Sequence, residues 1–230
     1  MPPAPVPTTR SGHGRVLRMT LDLVAPALHG ATALLWRPAG LVERYPVYLS
    51  AMHAVVRASV PLMEAAARRC GQLASGDPLA EPLRRYLYEH IAEERHHDEW
   101  LVADLSATGV AGSGLLDAQP GTLIARMVGA QYYWIGHHHP VCLLGYIAAL
   151  EANAPSPLLA EHLRAATGLP AAAFRTLHYH AVADAGHSDA VSALVDRLPL
   201  GAAQATAVNV SALSTVEGLV DLFSGLGGQR

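Results

Sequence analysis

Aromatic side chains make up only 6% of this 230-residue chain, and it has just two cysteines. Each scarcity excludes something. With few aromatics and only short, scattered β-branched runs, no segment alternates apolar and polar residues over a useful length. That argues against sheet and for helix. Cys70 and Cys142 sit in separate apolar helical patterns and neither belongs to a CxxC. They make no disulfide framework, so a reducing cytoplasmic setting is expected. The longest apolar run, "PVCLLGYIAALE", ends at Glu151 and is too short to span a bilayer. No basic stretch leads into a long apolar one near the start, so no signal peptide is expected. The net charge is −3 with His neutral. It lacks the basic surplus that binding nucleic acid or an anionic membrane requires, and neither is expected as a partner.

What is present is helix-forming: 51% hydrophobic residues, with Ala and Leu prominent. The length suits one large domain with its own core. "MPPAPVPTTRSGHGR" (1–15) reads as a flexible tail, and 16–230 as a single all-helical domain. Helices are predicted near Leu17–Trp36, Pro46–Ala74, Leu79–Thr108, Gln119–Glu151 with a kink at Pro140, Leu158–Thr167, Ala171–Leu198 and Thr206–Phe223. Pro61 is expected to kink or split the second. The fold class is all-α, a helical bundle. The Ala-rich last helix could serve a homodimer.

Thirteen histidines are an unusual share, and histidine is the side chain most used to hold transition metals near neutral pH. Two stretches concentrate them, "HIAEERHHDEW" (90–100) and "HYHAVADAGHSDA" (178–190). His180, Asp184 and His187 are spaced H-x3-D-x2-H, and His90, Glu94 and His97 are spaced H-x3-E-x2-H. On a helix, four steps turn about 40° and seven steps about −20°, so each triplet shares one face. A single acid precedes each triplet: Glu64 in "PLMEAAARR" and Glu151 at the end of "GYIAALE". An acid set in an apolar helix is costly unless paired or coordinated. Carboxylates and histidines projecting from separate helices are how bundles hold two metal ions, and oxygen and nitrogen donors without thiolate suit iron or manganese. Against this stands the plainer reading of a charged, solvated helix face for Glu93, Glu94, Arg95, Asp98 and Glu99. Glu93 and Asp98 are expected to meet solvent or to support ligands.

The segments "HIAEERHHDEWL", "QYYWIGHHHPVCLLGYIAALE" and "LHYHAVADAGHSDA" resemble the haem-oxygenase-like di-iron oxidases and oxygenases, the iron-containing redox enzymes, over about Glu64–Asp189. The resemblance implies a seven-helix haem-oxygenase-like bundle. It also implies two iron ions as cofactor, O2 as co-substrate, and a small-molecule substrate: an amino acid, amine or fatty acid, with an amino acid or amine as the first expectation. N-oxygenation, desaturation and oxidative C–C cleavage are the outcomes it allows, and an external reductant is a possible partner. Carried over by position, His97, Glu151, His180, Asp184 and His187 match the family's ligands. The remaining carboxylate falls at Glu94 in one pattern. In the other it falls seven residues before His97, where this chain has His90, so His90 is an extra or alternative ligand. Glu64 is a further candidate.

An amino-acid substrate would need a fixed cation for its carboxylate, and Arg pairs with carboxylate bidentately. Arg126 and Arg175 are the candidates, with Tyr133 and His137 in phase with Glu151 as wall residues. One of His137–His139 is expected to donate to a ligand carboxylate. An all-apolar tunnel would instead indicate a fatty acid. Two rival readings remain. One is a metal-free bundle enzyme of the thiaminase-like or pyrroloquinoline-forming kind. The other is an iron-binding protein without turnover.

Overall fold

Prolines at 26, 46 and 61 fall inside helices without ending them. In this computed structural model, α1 (His13–Leu35) runs through Pro26, and α2 (Leu41–Gln72) runs through Pro46 and Pro61. Each Pro removes a helix hydrogen bond at a cost of about 3 kcal/mol. Burial of Leu49, Val55, Leu62 and Met63 along α2 offsets it. The structure describes residues 12–73 and 76–228, apart from the side chains of residues 184–186.

The remaining helices are α3 (Ala80–Glu94), α4 (His97–Ala107), α5 (Thr122–His137), α6 (Leu143–Glu151), α7 (Leu159–Thr167), α8 (Arg175–Arg197) and α9 (Ala202–Gly228). Short 3-10 turns lie at Gly112–Leu115, Pro140–Cys142 and Ala171–Phe174. The described residues contain no strand, and none of their helices is long and apolar enough to cross a membrane. The all-α expectation is met, with nine α-helices among the described residues where seven were expected. Two of the breaks explain much of the surplus. The helix expected over 79–108 is interrupted at Arg95, which is extended, and His96, whose φ of 75° is the only positive value on a described non-glycine residue. Such a conformation costs about 1–3 kcal/mol and persists only where the surroundings impose it. The second break is at Pro140, where His139 is extended and a 3-10 turn leads into α6.

α1 also starts earlier than expected, at His13. Gly14 lies within the stretch predicted as tail, yet its N–H donates to Asp196 Oδ1 at 2.7 Å, and a Cβ there would strike the Ser192 carbonyl. Residues 1–11 fall outside the described residues.

α6 is the centre of the bundle. All of its residues except Leu150 are buried, and it packs against α9. At Gly145 a Cβ would come within 2.0 Å of the Val208 carbonyl oxygen, so only glycine permits this approach. α2 and α3 are consecutive and pack together. This sets His90 and Glu94 beside the C-terminal half of α2.

Candidate metal centre

Glu151 is the last residue of α6 and is only 7% exposed. A carboxylate there is doubly disfavoured. It is removed from water, and it sits at the helix C-terminus, where the macrodipole already places partial negative charge. Positive charge has to be close by. His90 of α3 supplies one group: its Nε2 lies 3.0 Å from Glu151 Oε1. His187 of α8 supplies another, with Nδ1 4.0 Å from the same oxygen. One donor atom from each of His90, Glu151 and His187 lies within 4.8 Å of the others. Half-exposed Glu93 closes the outer side, with its Oε2 3.3 Å from His90 Nδ1 and 3.6 Å from His187 Nε2. Tyr86, one turn before His90, stacks on the His90 ring at 5.5 Å between centroids. Burial works against a proton on His90, but the Glu151 hydrogen bond and the charges of Glu151, Glu94 and Glu93 outweigh it and raise its pKa.

A second group adjoins the first. Glu94 Oε2 lies 3.2 Å from Nδ1 of His97, which is 2% exposed. The His97 ring meets the His180 ring edge-on at 5.1 Å. Burial pushes the Glu94 carboxyl up, yet the His97 hydrogen bond and the charges of His97, His180 and His90 hold it below its ordinary value. The backbone break at Arg95–His96 starts a new helix at His97. His90, Glu94 and His97 therefore do not share one continuous helical face, as their spacing predicted; they sit on two helices. His180 and His187 do lie on one continuous helix, α8. Asp184 is on α8 between them, but its side chain lies outside the described residues.

The other sequence candidates lie elsewhere. Glu64 pairs with Arg68 one turn along α2, at 3.9 Å and largely in solvent. Arg126 pairs with Asp221 at 2.6 Å, both exposed. Tyr133 is 63% exposed and packs on exposed His137 at the surface of α5. Arg175 is exposed and lies over the Trp100 ring at 4.4 Å. Of the three consecutive histidines, only His139 is buried, and it faces Asp77, not a carboxylate of the cluster. The phase argument failed because the 3-10 turn after His138 rotates α6 relative to α5. Tyr146 of α6 faces the same cavity as Glu151.

That cavity has a volume of about 520 Å³. His90, Glu94, Glu151 and His180 form one part of its wall. The rest is chiefly apolar and extends along α2 from Met63 to Tyr48 and across to Trp36 of α1 and Phe223 of α9. Trp36 meets Tyr48 edge-on at 4.7 Å, and Tyr48 meets Phe223 at 6.2 Å. Sequence reasoning missed these wall residues, because scattered aromatics in apolar helices carry no signal beyond that of core.

The donor set fits a transition metal. Buried carboxylate and imidazole groups converge from four helices, with nitrogen and oxygen donors in the mixture iron accepts. Both thiols lie apart from it and burial pushes each up to about 11, so neither is a thiolate near neutral pH. The family model for iron-containing redox enzymes matches residues 42–217. The chain belongs to that family. Among solved structures, it is similar to a domain of unknown function with a heme oxygenase-like fold from Shewanella denitrificans OS217. That TM-score is 0.71 at 13% identity, over 92% of this chain and 89% of the other. It is also similar to a TenA homolog from Pseudomonas syringae pv. tomato DC3000, with a TM-score of 0.64 at 14% identity over 93% and 92% of the two chains. No curated protein matches the chain significantly. At these identities the structural neighbours show the fold alone, and it is the haem-oxygenase-like one. Among the described residues, His90, Glu151 and His187 are a group whose donor atoms could hold a metal ion.

Proposed function

We propose that this protein is an O2-dependent, non-haem di-iron oxidase or oxygenase acting on a small molecule. The observation that carries the reading is Glu151, a buried carboxylate at a helix C-terminus held between His90 and His187. Glu94, His97 and His180 are packed immediately beside it. In this assignment His90, Glu151 and His187 hold one iron, and Glu94, His97 and His180 hold the other together with Asp184. His90 is thus a principal ligand where the family pattern has a carboxylate. The iron, when bound, would supply the activation of O2.

The chain's own residues set the conditions. The buried α6 shields Glu151 from water. Tyr86 fixes the His90 ring plane, and Glu93 orients His90 and His187 from outside, as supporting carboxylates do for metal-bound imidazoles. Imidazole must give up its proton to bind a cation, so loading releases protons from this cluster.

Anaerobic titration with Fe(II) tests the reading. About two irons per chain are expected, followed by O2 uptake on aeration that quickens with substrate. Binding of fewer than one iron would refute it. The TenA homolog has a similar fold, and the metal-free alternative of that kind predicts iron at background with His180→Ala and His187→Ala changing nothing. An iron-binding protein without turnover would load fully but take up O2 at the same rate with every candidate substrate.

A further inference from the structure

The ring contacts of His97 continue past the metal cluster. Trp100, one turn along α4, packs on the His97 ring at 4.3 Å between centroids. Tyr179 of α8 meets His97 edge-on at 5.0 Å, Trp100 at 4.9 Å and its neighbour His180 at 5.5 Å. His97 is 2% exposed and Tyr179 is 40% exposed, so a single ring contact separates a buried imidazole of the cluster from a phenol in solvent. Tyr86 also stacks on a cluster ring, that of His90, but its hydroxyl is buried and has no hydrogen-bond partner. A phenol that gives up an electron must also give up its proton. At Tyr86 the proton has no outlet, whereas at Tyr179 water can take it.

Charge separates Tyr179 from Trp100. The Arg175 guanidinium lies over the Trp100 ring at 4.4 Å. A fixed positive charge there opposes the positive charge that an oxidised indole carries. An oxidised phenol, having shed its proton, is neutral and escapes that penalty. We propose that Tyr179 is an electron donor to the metal cluster. When O2 is reduced there without a substrate to oxidise, Tyr179 supplies the missing electrons through His97 and His180, and a one-electron reductant, a thiol or ascorbate, restores it at the surface. This role rests on the di-iron reading. Reducing O2 to two waters takes four electrons and four protons. Two Fe(II) give two electrons on becoming Fe(III). Tyr179 gives the other two singly, each time passing one electron to the cluster and its phenolic proton to water. Each time, an electron from the reductant and a proton from water rebuild the O–H. Without this route the same oxidation falls on the side chains nearest the cluster.

The test uses the full-length protein loaded with Fe(II) under argon and mixed with O2 in the absence of substrate. Freeze-quench EPR is expected to show a tyrosine radical that changes shape when the tyrosines carry ring deuterium and disappears with ascorbate. Tyr179→Phe keeps the ring and should keep the iron stoichiometry, but should lose the signal at least tenfold. Over repeated O2 and ascorbate cycles, peptide mass spectrometry should find severalfold more oxidation of His97, Trp100 and His180 in Tyr179→Phe than in wild type. Trp100→Phe and Tyr86→Phe should retain the tyrosine signal. Arg175→Gln should add a component that responds to deuterated tryptophan. An undiminished radical in Tyr179→Phe would overturn the inference. So would iron loading and O2 uptake with no tyrosine radical and equal side-chain oxidation in the two proteins, an outcome that leaves the di-iron reading standing. Failure of wild type to bind iron would overturn both.

Discussion

His90 Nε2 and Glu151 Oε1 are 3.0 Å apart across the α3–α6 contact, and both side chains are buried. Their donor atoms, with one from His187, lie close enough to share one metal ion. His90→Ala is therefore expected to reduce bound Fe(II) from about two to about one per chain. The measurement is chelator-based iron counting after anaerobic gel filtration. Unchanged stoichiometry would mean that Glu94, and not His90, completes the ligand set.

Glu93 touches both His90 and His187 but is half exposed, so its role is to orient them. Glu93→Gln keeps the shape and removes the charge. Supporting groups of this kind typically change metal affinity about 10–100-fold. A drop of that size in Fe(II) affinity is expected, with full loading still reached at high iron, and a competition titration reads it.

Glu64 and Arg126 form exposed ion pairs away from the cluster. Pairs of this kind contribute at most about 1 kcal/mol. Glu64→Gln and Arg126→Ala are expected to leave iron stoichiometry unchanged and to shift stability by about 0.5 kcal/mol or less. Loss of iron in Glu64→Gln would place that carboxylate back at the metal.

How much of this was legible in the sequence depended on whether a helix stayed continuous. His180 and His187 lie on one uninterrupted helix, as their spacing required. His90, Glu94 and His97 do come together, but across a backbone break at His96 that no glycine or proline announces. Glu151 stood out as an acid in an apolar helix, and burial bears that out. Tyr133 and His137 were placed by carrying one helical phase through Pro140, which the 3-10 turn there invalidates. Arg126, set in an apolar stretch, and Arg175, five residues before His180, were offered for a substrate carboxylate, and both are exposed. A long side chain on such a helix reaches solvent and leaves only its stem on the apolar surface. The cavity depends on α9 packing against α1 and α2, from which it is remote in sequence.

His139 predicts a pH effect. Its Nδ1 accepts the Val141 N–H at 3.0 Å, so in the neutral ring Nε2 carries the hydrogen and donates to Asp77 Oδ2 at 3.2 Å. Burial lowers its pKa, and the opposing pull of Asp77 does not restore it. A histidine with a depressed folded-state pKa contributes stability that is complete above its unfolded pKa of about 6.5. That contribution is lost as pH falls through the folded value. His139→Ala should therefore cost about 1 kcal/mol at pH 7.5, and the gap to wild type should narrow at pH 5.5. Urea melts at the two pH values check it, and a gap that widens on acidification would reverse the assignment.

Gly145 ties stability to the site. A Cβ there would lie 2.0 Å from the Val208 carbonyl oxygen and 2.7 Å from the Ala212 nitrogen, so α6 would have to move away from α9. Overpacking of this kind costs about 1–3 kcal/mol, and here the obstruction is backbone that cannot rotate aside. Since α6 ends in Glu151, the same displacement would pull that carboxylate away from His90. Gly145→Ala is expected to lower the melting temperature and weaken Fe(II) binding together. Gly30→Ala, in α1 with open space at the Cβ position, should leave iron binding unchanged and stabilise the fold by up to about 1 kcal/mol through helix propensity. A Gly145→Ala protein that melted lower yet bound iron normally would show that the α6–α9 contact holds the fold without positioning Glu151.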